Sequence, residues 1–163
     1  TIFKCAELLH SCGYVVCLLM DSDLQNEEEH KADLLKKGIK VFSWKAPNAF
    51  EEQIFFDVPT DVATKIINIA VEEHGIDSVK SRLNNESIPF EVEDGKIKLP
   101  QLESEVQKKI GKAAKNKKAE CYKRIDLGEL LGNAVFENWK SIDEKSTVKA
   151  VVEKLTEWVV NND

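Results

Sequence analysis

Residues 15–20, VVCLLM, form an unbroken apolar run, and two aspartates one residue apart, Asp21 and Asp23, follow it at once. Six residues are too few for a stable helix and far short of the roughly 20 needed to cross a bilayer, so the run reads as a strand. A strand with one wet face alternates polar and apolar residues. Continuous apolarity therefore predicts a central strand of a parallel sheet, buried on both faces. Upstream, Ile2, Cys5, Ala6, Leu9 and Cys12 share one face of a helix that Gly13 can end. Downstream, Asn26 can cap a second helix with Glu27, Glu28 and Glu29 in its first turn and Lys36 and Lys37 in its last. Both ends then suit the helix dipole. Gly38 closes that helix, and residues 39–44, IKVFSW, supply a second strand. Helix, strand, helix and strand joined by short connections predict an α/β fold with a parallel sheet flanked by helices.

The character changes after residue 58. Residues 59–75 predict a helix capped by Thr60, with Val62, Ile66, Ile69 and Ala70 on its buried side and Gly75 after its end. Asp94-Gly95 between two short runs predicts a hairpin, and residues 101–114 a mostly polar helix. Two apolar stripes close the chain: Leu127, Leu130, Leu131, Ala134 and Val135, then Val148, Val151, Val152, Leu155, Trp158 and Val159. Core packing is the expectation for both. The organisation expected is one domain of 163 residues: an α/β core at 1–58, a mainly helical insertion with a hairpin at 59–115, and a basic loop with C-terminal helices at 116–163.

A net charge of −6 and a 42% hydrophobic content are those of a soluble globular protein, and no secretory signal pattern is present. No membrane association and a cytoplasmic location are expected. Cys5, Cys12, Cys17 and Cys121 lack metal-binding spacing and the histidines are scattered, so neither a zinc site nor a disulfide framework is suggested. Cys17 lies inside the apolar run, where a buried thiol acts as a small hydrophobe. The chain starts at Thr1 inside what reads as a helix, and the expectation is a piece of something longer.

Three groups of residues carry chemistry. Asp21 and Asp23, two apart in an extended chain, leave the same side of the backbone with Cα atoms about 6.6 Å apart. They stand where open α/β folds place ligands. Like charges this close repel unless a cation or a donor compensates, so a metal site is one reading and an Asp-Ser-Asp turn the other. Glu51 and Glu52 lie in NAFEEQIFFD, among Phe50, Ile54, Phe55 and Phe56. A carboxylate on a buried segment needs a partner, and a metal can be one; a solvent-facing position is the alternative, above all for Glu52. The third group is basic: Lys108, Lys109, Lys112, Lys115, Lys117, Lys118, Lys123 and Arg124, against the single acid Glu120. Such segregation in an acidic chain fits a phosphate-binding face or a solvated helix face. Lys117, Lys118, Lys123 and Arg124 stand beside an apolar helix and are the DNA-contact candidates.

GYVVCLLMDSD, followed by a helix, a strand and NAFEEQIFFDVP, resembles the Toprim nuclease domain of OLD-family ATP-dependent endonucleases, the Gabija-type antiphage nucleases among them. KKAECYKRIDLGELLGNAVFENW is similar to the lysine-bearing C-terminal part of that domain. The resemblance implies two-metal cleavage of DNA with Mg2+ or Mn2+. Asp21 and Asp23 would hold one metal, and Glu51 or Glu52 would help hold the second. Lys123, with Lys118 second, would contact the scissile phosphate. It also implies a homo-oligomer, ATP use only through a separate upstream ATPase domain, and a defence-system partner protein. Such domains place a glutamate on a strand before the Asp-x-Asp strand, and this chain begins after that position. The resemblance thus implies completion by the missing N-terminal ATPase portion or by another chain.

Two other expectations compete. One is a non-catalytic Toprim-like module that binds DNA or a partner. The other is a haloacid-dehalogenase-like phosphatase with Asp21 as nucleophile, for which Gln25 stands where Thr or Val is wanted.

Overall fold

The structure, a computed structural model, describes residues 2–22, 27–44, 47–115 and 125–162. The chain divides into two compact units, Thr1–Phe50 with Thr147–Asp163, and Glu51–Ser146. The last helix thus belongs with the first fifty residues rather than with its neighbours in sequence.

In the first unit, helix α1 (Ile2–Ser11) leads into strand β1 (Cys17–Met20), helix α2 (Glu27–Lys36) and strand β2 (Lys40–Ser43). β1 and β2 pair in parallel with Cys17 opposite Lys40 and Met20 opposite Ser43, which bears out the α/β expectation at that level. Side chains alternate across a strand, so Leu18, Met20 and Val41 share one face. There they pack with Ala6, Leu34 and Ile39. Phe3 of α1 stacks on His30 of α2 at 4.4 Å between ring centres. At the end of α2, the Lys37 ammonium meets Glu7 at 2.7 Å and Asp33 at 2.6 Å. Asn26, the expected cap of α2, lies outside the described residues.

The expectation of a strand buried on both faces is corrected. Leu18 and Met20 are buried, but Leu19 is 37% exposed, and Val15, just ahead of the strand, is 64% exposed. Among the described residues the sheet has two strands, so β1 has a neighbour along one edge only. The apolar run therefore exceeds what this sheet can cover.

The first unit is completed by helix α8 (Thr147–Asn161), which packs against β2. Val148 and Val151 are buried, as the stripe predicted. Val152, Leu155 and Trp158 are only half-buried, and Val159 is exposed. Core packing thus holds for the first turns of α8 and weakens beyond them, where the stripe is half-buried or exposed.

The second unit is built around helix α4 (Thr60–His74), with helices α3 (Phe50–Asp57), α5 (Ile76–Asn85), α6 (Ser104–Lys115) and α7 (Ile125–Glu137) and a hairpin of β3 (Glu91–Glu93) and β4 (Lys96–Lys98). Val62, Ala63, Ile66, Ile67 and Ala70 form the buried face of α4, while Ile69 is only half-buried. Thr60 is the first helical residue and not the cap; Pro59 precedes it, and the Thr60 hydroxyl accepts the N–H of Leu102 at 3.0 Å. The hydroxyl is spent tying a distant loop, so it does not cap its own helix.

The hairpin forms where Asp94-Gly95 predicted it. Both residues have positive φ, 49° and 75°, as a two-residue turn matching strand twist requires. Asn68 of α4 holds β4 by a reciprocal pair: its amide donates to the Ile97 carbonyl at 2.8 Å, and its carbonyl accepts the Ile97 N–H at 2.9 Å. On α7, Leu127, Leu131, Ala134 and Val135 are buried as expected, whereas Leu130 is exposed. Among the described residues no helix is long and apolar enough to cross a membrane.

Candidate functional site

Three of the residues singled out from sequence for metal binding, Asp21, Glu51 and Glu52, are among the described residues. Asp23, Lys117, Lys118, Lys123 and Arg124 lie outside them.

Asp21 follows the last residue of β1 and is half-buried. Its carboxylate accepts the backbone N–H of Phe50, the first residue of α3, at 2.8 Å. The opening N–H groups of a helix have no partner within the helix, and the helix dipole favours an anion there. Asp21 therefore acts as a cap supplied from a distant part of the chain.

Ser22 is buried and does two things at once. Its N–H donates to the Asn48 carbonyl at 3.2 Å, and its hydroxyl donates to the Trp44 carbonyl. Trp44 and Phe50 meet at 5.3 Å between ring centres. Trp44, Asn48 and Phe50 are thus each tied to the residues that follow β1.

α3 then continues with Glu51, which is buried, and Glu52, which is partly exposed. Ile54 and Phe55 are buried while Phe56 is exposed, so the segment is buried on one side only. Gln53 donates to the Asp57 carboxylate at 2.9 Å. The backbone of Glu52 is in close contact with α6: a Cβ placed on Gly111 would stand 2.7 Å from the Glu52 Cα. Gly111 is what lets the two helices approach that closely. Lys108, Lys109 and Lys112 of α6 are exposed, with Ile110 and Ala113 buried between them, which fits the solvated helix face.

No family model matches the chain, and no curated protein or solved structure matches it. What the site can do must therefore come from its residues. Carboxylate oxygens are the donors that a hard divalent cation prefers. Among the described residues, no three His, Cys, Asp or Glu side chains gather as a metal would need.

Cys17, one residue into β1, is half-buried, and burial pushes its thiol above the ordinary range. That fits a packing thiol and not a nucleophile. Sequence reasoning overlooked Ser22, Asn48 and the Phe50 amide, which organise the end of β1. The turn propensity of Asp-Ser-Asp was the available signal, but it points to a local turn and not to the start of a helix 29 residues on.

Proposed function

We propose that this chain carries part of a Toprim-type, divalent-metal-dependent DNA endonuclease centre of the OLD-family kind. Asp21 and Asp23, with Glu51 or Glu52, would hold Mg2+ or Mn2+, and Lys123 or Lys118 would face the scissile phosphate. The observation that carries the reading is the position of Asp21 at the C-terminal end of a strand in a parallel pair, the ligand edge of open α/β folds. When bound, such a cation supplies charge stabilisation and an activated water. The chain's own part is to hold the carboxylates: Ser22 and the Phe50 N–H anchor the end of β1, so Asp21 does not swing with a loose loop.

Nicking of supercoiled plasmid by the full-length protein in Mg2+ tests it. Asp21→Asn keeps an acceptor for the Phe50 N–H and removes the charge; it is expected to abolish nicking while the unfolding temperature stays near that of the parent. Lys123→Ala is expected to lower nicking far more than Lys112→Ala on the exposed face of α6. Undiminished cleavage by Asp21→Asn sinks the metal assignment, and equal effects of the two lysines point to a diffuse basic face.

A second reading is a non-catalytic Toprim-like module that binds DNA or a defence-system partner. The bond from the Phe50 N–H favours it, because capping α3 is a role for this carboxylate that needs no metal. Plasmid binding without nicking by the parent protein would select it.

A further inference from the structure

We infer that the outer edge of β2 is a docking slot for an extended, acidic peptide strand. A cavity of about 590 Å³ runs between β2 and α8. Lys40, Val41, Phe42 and Ser43, all four residues of the strand, line it in unbroken succession. A cavity lying over a sheet face is lined by every second residue, because side chains alternate. Consecutive lining fits a cavity that reaches along the strand's edge.

The backbone there is ready to pair. Lys40 donates its N–H to the Val16 carbonyl, on the β1 side. By the two-residue period, Phe42 also turns its backbone groups toward β1, and Val41 and Ser43 turn theirs outward into the cavity. Among the described residues β2 pairs with β1 alone. The opposite wall is one face of α8, with Val151, Lys154, Trp158 and Asn161 at helical spacing. A strand edge facing a helix is the geometry in which a peptide adds to a sheet, with main-chain hydrogen bonds supplying affinity and side-chain pockets supplying selectivity.

Charge selects the occupant. Lys40 and Lys154 outnumber Glu157 along the cavity, in a chain of net charge −6. Among the described residues neither lysine is in an ion pair. The Lys40 ammonium instead stands 5.9 Å from the centre of the Phe42 ring. Lys40 and Phe42 share the face opposite Leu18 and Met20, so carboxylates on alternate residues of an added strand meet these ammonium groups. A nucleic-acid strand fits less well, since two cations beside an acid make a short phosphate track and leave the outward backbone groups unused.

The probe is a hexapeptide alternating glutamate and valine, blocked at both ends and titrated into the full chain by NMR. The Val41 and Ser43 amides and the Trp158 indole are expected to shift together, and the two amides to gain protection from exchange. Lys154→Glu, an exposed change on α8, should weaken binding about tenfold. Lys154→Gln is the second variant, with a smaller loss expected. The same peptide N-methylated at its valines keeps its charge, loses donors and should not bind. Unmoved Val41 and Ser43 amides, or equal binding of the N-methylated peptide, overturns the slot. So does an oligothymidylate that shifts Trp158 where the peptide does not, which would make the cavity a base-stacking site.

Discussion

The two compact units solve the problem of covering apolar surface to different degrees. In the second, α4 is wrapped by α5, α7 and β4, and Val62, Ala63 and Ile66 have no exposure left. In the first, Ile2, Leu8, Leu9, Tyr14, Val15, Leu19, Leu35, Val159 and Val160 are all exposed. The difference follows from architecture. One long helix can have its whole apolar face covered by several neighbours, whereas two four-residue strands leave edges and ends open. Asp21 and the candidate docking slot both stand on the less covered unit, where strand ends and edges remain available.

The sharpest test of that contrast is truncation. Ile66→Ala, in a fully buried position on α4, is expected to lower stability by about 2–5 kcal/mol in denaturant unfolding. Leu19→Ala on β1 should stay within about 1 kcal/mol of the parent, since its side chain already meets solvent. Comparable losses would erase the difference between the units.

Two tighter features of the second unit come next. Gly111→Ala drives a methyl against the Glu52 backbone, which no side-chain rotation relieves, and should destabilise by about 1–3 kcal/mol. Asn68→Ala removes both partners of the Ile97 backbone and should lower stability by a similar amount, about 1–3 kcal/mol. In both variants, hydrogen exchange should speed up in the helices or hairpin concerned and leave the β1 and β2 amides unchanged.

Titration gives the smallest effects. Lys37 and then the positive charges around it hold the Asp33 carboxyl below its usual range, and Asp33 and then Glu7 raise the Lys37 ammonium. The Asp33 contribution is present above the ordinary carboxylate pKa and is lost as pH falls through the depressed value. The Lys37 contribution is present below the ordinary lysine pKa and is lost as pH rises through the raised value. Both groups are exposed, so Asp33→Asn should flatten the acid limb of a melting-temperature profile only slightly. Alkylation at mildly alkaline pH should label exposed Cys5 and Cys12 before Cys17, whose thiol is raised by burial. Labelling of Cys17 first would mean that β1 opens more readily than its packing implies.

The parallel pair, the hairpin and the buried stripe of α4 were legible in the chain because their causes are local. Gly13 and Gly38 punctuate α1 and α2, Asp94-Gly95 takes the positive φ angles of a tight turn, and apolar residues recur at helical spacing from Val62 to Ala70. Asp21 was legible as a strand-end carboxylate for the same reason. Tertiary structure alone decided that Asp21 accepts the Phe50 N–H, that Ser22 reaches the Trp44 carbonyl, and that the Thr60 hydroxyl serves Leu102. It also decided that α8 joins the first unit and that Leu19 stays exposed. Each of these depends on which distant segment arrives beside a residue, and hydrophobic periodicity records that a face is apolar without recording what will cover it.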